Sequence, residues 1–219
     1  MSRRLPFRFL CCLLALAIGL HAVIIDRVAA SVANRVITAS GIDRQIRVTA
    51  FQDGVKPDFS PAARRAAAER MVEQRLIEQE LSNSRYPLPD PAELLPAIDQ
   101  FKKDHFKDQA EYQQALVKYG ITEQDFKDLL LWQRTLLLFI EVRFEAGAQI
   151  TDQEVRDYFE KTVKPAAQLA HPGQAVNLED YRAQIEQTLA GKRADQQLDA
   201  WLKEARKHVE IVYHDEVFQ

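Results

Sequence analysis

Residue types that commonly carry chemistry are scattered in this sequence. The histidines are His21, His105, His171, His208 and His214, and no two of them have the i, i+3 or i+4 spacing that places two metal ligands on one helix face. Only the run His214-Asp215-Glu216 brings ligand types together, and such a run is typical of a polar tail. We therefore expect no metal ion.

Catalytic side chains are equally hard to find. Both cysteines, Cys11 and Cys12, lie in an N-terminal apolar run, and no serine stands in a nucleophile elbow. The 7 glycines form no phosphate-binding loop. Carboxylates that fall close together, such as Glu78 with Glu80 and Asp125 with Asp128, lie on predicted helices, where charge is usually solvated. The sequence predicts no catalytic residue and no cofactor.

Composition narrows the class of protein. With 47% hydrophobic and 28% charged residues, the chain is typical of a globular protein. Its formal net charge is −3, and acidic and basic residues alternate along the predicted helices. An acidic chain without a basic stripe repels phosphate, so nucleic acid is not an expected partner.

The first 22 residues have the layout of a secretory signal peptide. Arg3, Arg4 and Arg8 are followed by an apolar run over 9–20, and Ala22 offers a cleavage point. Cleavage would remove both cysteines and place the mature chain, 23–219, in the periplasm. The alternative is an uncleaved inner-membrane anchor facing the periplasm, because the run 9–25 reaches the lower limit of about 17 residues for a bilayer span.

The mature chain begins with strand-forming residues and then becomes helical. We predict a hairpin over 28–38 with its turn at Asn34-Arg35, then a helix capped by Ser40 with Asp43 that ends near 53–54. Ser60-Pro61 predicts the start of a long helix, since proline at the first helical position loses no hydrogen bond. Its apolar face is formed by Val72, Leu76, Ile77 and Leu81.

A proline-rich elbow over 86–91 separates that helix from the next ones. Asp90 is expected to cap a helix over 92–105, a further helix stops at Gly120, and Thr122 caps a third. The third helix is apolar on nearly every side over 129–140. It is therefore expected to be surrounded by other helices.

The C-terminal part contains two more helices and a strand. Thr151 and Glu154 form a capping box for a short helix, whereas Pro165, Pro172 and Gly173 predict a loop over 164–177. A long helix from Leu178 precedes the strand-like residues 209–213. Because an isolated hairpin is marginally stable, we expect this strand to join the N-terminal hairpin, which gives a mainly α fold.

The order of these pieces resembles the chaperone domain of the SurA and parvulin-associated periplasmic foldases. The resemblance covers much of the chain and is carried by five stretches in the family's order: 25–40, 71–81, 112–120, 150–155 and 197–211. In members with isomerase activity, one or two parvulin domains lie between the helix beginning at Thr151 and the closing helix. Here that interval, 164–177, is far shorter than the ~50 residues of the smallest domains.

The resemblance therefore implies a single SurA-like domain over 23–219 without prolyl isomerase activity. It implies an ATP-independent chaperone that binds unfolded outer-membrane or secreted precursors. Two alternatives stay open: a scaffold that holds one folded partner or a second copy of the chain, and a prolyl isomerase with an unrecognised site. Exchange of the end strands would give a homodimer.

Aromatic residues are the candidates for client binding. Trp132, Phe139 and Trp201 fall on apolar helix faces and are expected in the core. Other aromatics lie near helix ends, breaks and polar neighbours, where they could line a concave surface for extended clients. These candidates are Phe51, Phe59, Tyr86, Phe101, Phe106 and Tyr112.

Overall fold

The computed structural model describes residues 26–83, 85–145, 147 and 149–219. The predicted signal peptide, with Cys11, Cys12 and His21, lies outside these ranges. The described chain is mainly helical with one small sheet, which confirms the predicted fold class. Within the described ranges, no helix combines the length and the apolarity that a bilayer crossing requires.

The sheet joins the two ends of the described chain. Strands β1 (Val28–Val32), β2 (Arg35–Thr38) and β3 (Ile211–Tyr213) are antiparallel in the order β2-β1-β3. Ala30 pairs with Ile37 on one side and with Tyr213 on the other. The expectation that the C-terminal strand joins the hairpin is thus confirmed, although β3 begins two residues later than predicted.

The hairpin turn was predicted one residue too late. Arg35 already pairs with Val32, so the turn consists of Ala33 and Asn34, and Ala33 has the positive φ of 51°. The register explains the difference, since it turns Ala30, Val32 and Ile37 toward the core together. A shift by one residue would move such a set to the other face of the sheet.

Helix α1 (Ala39–Gln52) follows β2 directly, and its cap also differs from the prediction. Thr38, not Ser40, is the N-cap, because its backbone is still extended and its Oγ1 accepts from the Gly41 amide at 3.2 Å. Ser40 lies inside the helix, and its hydroxyl donates to the Asp26 carboxylate. Asp43 forms an ion pair with Arg64 at 2.9 Å instead of reaching back to the cap.

The central helices begin and end where capping residues predict. Helix α2 (Pro61–Asn83) is followed by the elbow, a 3-10 turn (Pro91–Leu94), α3 (Leu95–His105), α4 (Gln109–Tyr119) and α5 (Glu123–Ile140). Asp90 accepts from the Ala92 amide at 2.8 Å, and Gly120 takes the left-handed conformation with φ 66°. Thr122 forms a full capping box with Asp125.

Helix α5 is more exposed than its composition predicts. Its C-terminal end continues as a π-helical turn (Glu141–Glu145), and buried positions such as Phe126 and Phe139 alternate with half-exposed ones. Leu137 is 59% exposed. The prediction that other helices surround α5 is therefore wrong, and one of its faces remains accessible.

The interval 164–177 is a loop only in its second half. After α6 (Asp152–Tyr158) the chain continues through a π-helical turn (Phe159–Val163) into α7 (Lys164–Ala170). Pro165 lies in the first turn of α7, where a proline starts a helix and does not break one. Only residues 171–177 form a loop, which leads into α8 (Leu178–Ala205). Further along the chain, a 3-10 turn (Asp215–Val217) follows β3.

Three hydrophobic clusters hold these elements together. The main core joins the sheet to α1, α2, the end of α5 and the second half of α8. A second cluster, rich in aromatic residues, joins the end of α1 to α3, α4 and the first half of α5. The third core joins α6 and its π-helical turn to the first half of α8 around Val155, Phe159 and Ile185.

Candidate functional site

Four of the six aromatic candidates come together in the aromatic cluster. We use this name for Phe51, Phe101, Phe106, Tyr112, Tyr119 and Phe126. Phe51 lies at its centre, stacked on Phe106 with 5.9 Å between ring centroids and edge-on to Phe126 at 5.3 Å. Phe51 and Tyr112 are buried, so these two rings contribute packing and offer little surface to a ligand.

The rim of the aromatic cluster opens to solvent as a cavity of about 370 Å³. Phe101 and Phe106 line it together with His105, whose ring stacks on Phe101 at 4.3 Å. Glu111 and Lys118 lie at its edge. An apolar side chain could enter this cavity, but most of the aromatic surface is already used for packing between the rings.

Tyr112 is the polar exception inside this cluster. Its hydroxyl is buried and has no hydrogen-bond partner among the described residues. The Lys102 ammonium lies 4.6 Å from the ring centroid, and Glu123 forms an ion pair with Lys102 at 3.2 Å. Burial, followed by the negative charge of Glu123, raises the pKa of Tyr112 to about 12.

Phe59 and Tyr86, the remaining two candidates, lie apart from the aromatic cluster and pack against the main core. Phe59 lies under the guanidinium groups of Arg47 and Arg64, at 5.4 and 5.7 Å from its centroid. Tyr86 packs edge-on against Phe139 at 5.3 Å, and its hydroxyl accepts from Arg143 at 2.6 Å. Both residues fasten the segments that flank α2.

A longer concave surface lies at the elbow, where the 3-10 turn and α3 stand apart from α2 across α5. It consists of three cavities of about 330, 390 and 300 Å³ that adjoin through shared lining residues. Leu131 borders the first and second, Trp132 borders the second and third, and Asp128 borders all three. We call this surface the elbow groove.

The lining of the elbow groove combines apolar and polar side chains, and two of its leucines are exposed to solvent. Its apolar residues include Met71, Leu81, Leu88, Leu94, Leu95, Leu131 and Trp132. Leu88, between two prolines, is 68% exposed, and Leu95 is 53% exposed. Because Leu88 and Leu95 are more than half exposed, a ligand can cover them without disturbing the fold.

Charged side chains of the elbow groove are mostly neutralised within the chain. Arg44 pairs with Asp125 at 3.7 Å, Arg75 with Glu78 at 2.7 Å, and Lys127 with Glu123 at 3.2 Å. Asp128 differs, because among the described residues its carboxylate forms no ion pair. It accepts one hydrogen bond, from the Gln124 side chain at 2.7 Å.

The residues of the elbow groove differ from those that the sequence predicted for client binding. Trp132 was expected in the core, and it does pack against the main core while it also borders the groove. Leu88 and Leu95 were not singled out. A signal existed for Leu88, because a leucine between two prolines cannot pack as part of a helix face.

The described part of the chain has no group of His, Cys, Asp and Glu side chains that could hold a metal ion. In the run 214–216, His214 Nδ1 lies 3.6 Å from Glu216, but Asp215 turns away to pair with Arg65. This ion pair fastens the segment to α2.

Fold and site together define a mainly α domain with a small sheet and an exposed apolar groove. No protein-family model matches the chain, and no curated protein is significantly similar to it.

Proposed function

We propose that the chain is an ATP-independent periplasmic chaperone that binds unfolded outer-membrane or secreted protein precursors in the elbow groove. The observation that carries this proposal is the pair of exposed leucines, Leu88 and Leu95, which line two adjoining cavities that share Leu131. The resemblance of the sequence to SurA-type chaperone domains supports the same function.

The chemistry of the groove suits transient holding of unfolded chains. Full burial of one leucine side chain contributes about 1.5–3 kcal/mol, whereas micromolar affinity requires about 8 kcal/mol in total. A few leucines and one tryptophan therefore give weak binding after the entropic cost of association. Aliphatic side chains also accept many client sequences, since they impose little directional geometry.

The test is suppression of aggregation by the purified protein, compared with a Leu88→Ser, Leu95→Ser double variant. We expect the natural protein to slow aggregation of several unrelated unfolded proteins and the double variant to lose most of this effect. Its fold should persist because both side chains are more than half exposed. The matched control is the double variant Val117→Ser, Leu169→Ser. These two apolar side chains are 79% and 84% exposed, and they line none of the three groove cavities.

Partner capture and a proline-limited refolding assay, run beside the aggregation assay, separate the rival functions. A protein that suppresses no aggregation but captures one folded partner would be a scaffold. Catalytic acceleration of proline-limited refolding would make the protein an isomerase. Equal activity of both double variants would remove the elbow groove as the client surface.

The proposed location rests on the layout of residues 1–22, with cleavage after Ala22. Cell fractionation should recover the mature chain in the periplasm, and mass spectrometry should find its N-terminus at Val23. Recovery of the full-length chain in the inner membrane would establish the anchored form instead.

A further inference from the structure

We propose that the elbow groove prefers an apolar segment that carries one lysine or arginine, with the cation held between the Asp128 carboxylate and the Trp132 ring. This inference rests on the proposed function, because it specifies the chemistry of the client segment. It begins from the position of Asp128, which borders all three cavities of the groove.

Asp128 is the unneutralised charge of the groove. Within the described ranges, the other charged lining residues, Arg44, Arg75, Glu78, Asp125 and Lys127, each have an oppositely charged partner. Asp128 is exposed and has only the neutral side chain of Gln124 as a hydrogen-bond donor. Its second carboxylate oxygen is thus available to a ligand.

Covering Asp128 with a purely apolar segment would be unfavourable. A segment that runs along the groove removes water from this carboxylate, and an ionised carboxylate loses solvation energy unless a partner replaces the water. A basic side chain in the segment supplies that partner, while the apolar residues on either side of it contact the leucines of the groove. The groove therefore selects for a cation at one position and for apolar residues elsewhere.

Trp132 provides the second half of the cation site. It lies four residues after Asp128 on α5, so both side chains project from the same helix face, and both border the same two cavities. Among the described cations, none lies over the Trp132 ring, although several lie over other aromatic rings. An arginine or lysine over an indole ring gains a favourable cation–π contact.

The experiment uses Trp132 fluorescence in a Trp201→Phe background, in which Trp132 is the sole tryptophan because the chain has 2. Three synthetic peptides share leucine and valine flanks and carry Arg, Gln or Glu at the centre. An exposed ion pair with a cation–π contact predicts that the Arg peptide binds about three- to tenfold more tightly than the Gln peptide. The Glu peptide should bind most weakly.

A charge-neutral variant isolates the role of the carboxylate. Asp128→Asn should lower the affinity for the Arg peptide toward that for the Gln peptide, because only the cation–π contact with Trp132 remains, and it should not weaken binding of the Gln peptide. The matched control is Asp199→Asn, an exposed aspartate on α8 that borders none of the groove cavities; it should change neither affinity. Raising the salt concentration should reduce the preference for Arg over Gln.

The outcomes distinguish the two proposals. Equal binding of the Arg and Gln peptides to the natural protein would overturn the cation preference but leave the elbow groove as a client site. Equal weakening of both peptides by Asp128→Asn would overturn it as well. Absence of binding by all three peptides would overturn the proposed function together with this inference. The same conclusion would follow if the Trp132 fluorescence did not respond to peptide and changed only with the protein concentration, because the groove would then be covered by a second copy of the chain.

Discussion

Tyr112 shows how a single polar atom is placed in an otherwise apolar cluster. Its ring is fully buried against Phe51 and Phe106, at centroid distances of 6.1 and 5.4 Å, and this packing holds the hydroxyl away from water. A buried hydroxyl without a hydrogen-bond partner costs about 1–3 kcal/mol. The packing of the ring must offset that cost.

We therefore expect Tyr112→Phe to raise the free energy of unfolding by about 1 kcal/mol at neutral pH, measured by urea denaturation.

The stability difference between the natural protein and Tyr112→Phe should also depend on pH. Because the folded pKa, about 12, lies above the ordinary value of 10.0, the folded state keeps its proton while the unfolded state loses it. The natural protein should thus lose stability relative to Tyr112→Phe by about 1.4 kcal/mol per pH unit as the pH rises above 10.

A second tyrosine of the aromatic cluster provides the control. The Tyr119 hydroxyl donates to the Val55 carbonyl at 3.0 Å. Tyr119→Phe should therefore lower the free energy of unfolding by about 0.5–1.5 kcal/mol, opposite in sign to Tyr112→Phe. Destabilisation by both substitutions would mean that the Tyr112 hydroxyl is satisfied in solution.

At the scale of elements, a network of charged and aromatic side chains fastens the C-terminal segment to α2. Arg65 lies over the Tyr213 ring at 4.0 Å, and the Tyr213 hydroxyl donates to Glu69 at 2.6 Å. Arg206 pairs with both Glu69 and Glu73, at 3.2 and 3.1 Å. The network complements the short ladder between β3 and β1 and keeps the two ends of the described chain together.

Glu69 is the centre of this network, and its charge should matter for stability. Burial alone would raise the pKa of Glu69, but the Tyr213 hydroxyl and the Arg206 guanidinium outweigh burial, so the pKa is lowered from 4.5. A lowered carboxyl pKa gives stability that is present above the unfolded pKa and lost as the pH falls through the folded one. Glu69→Gln should cost about 0.5–1 kcal/mol at pH 7 because the pairs are partly exposed.

The difference between the natural protein and Glu69→Gln should disappear in acid. Protonated glutamate and glutamine are both uncharged, so the two proteins become electrostatically alike at low pH. Urea unfolding at several pH values below about 4.5 would measure the difference between their free energies of unfolding. Glu73→Gln is the control, because among the described residues Glu73 pairs with Arg206 alone, whereas Glu69 also contacts Arg65 and Tyr213, so Glu73→Gln should have a smaller effect. A constant difference at all pH values would exclude the charge as its cause.

Element boundaries followed from sequence where a local signal decides them. The caps at Thr122 and Thr151 and the left-handed Gly120 lie where they were predicted, because each satisfies backbone groups within one turn. The hairpin turn and the Thr38 cap depend on strand register, which the sheet and core fix together. Likewise, Leu95 and Asp128 line one groove because of the positions of α2 and α3 relative to α5. No local sequence pattern determines these positions.

At the scale of the molecule, long helices connect clusters that are otherwise separate. Helix α5 contributes Phe126 to the aromatic cluster and Phe139 to the main core, and its intervening face forms the floor of the elbow groove. Helix α8 similarly contributes Ile185 to the third core and Ala194 to the main core. The groove therefore depends on the main core and the aromatic cluster, whereas the third core contributes no lining residue to it.

The third core should consequently unfold without the rest of the molecule. Among the described residues it has three buried side chains, Val155, Phe159 and Ile185, and the pairs Arg182–Asp152 at 2.9 Å and Arg193–Glu154 join α6 to α8. Phe159→Ala removes about 3–5 kcal/mol of packing, more than so small a core can lose. In hydrogen exchange, α6 and α7 should lose protection, while α2 and the sheet retain theirs and Trp132 still responds to the Arg peptide. The control is Phe139→Ala in the main core, which should weaken protection from hydrogen exchange in every element. If Phe159→Ala caused the same uniform loss, all three cores would fold as one cooperative unit and the prediction would be wrong.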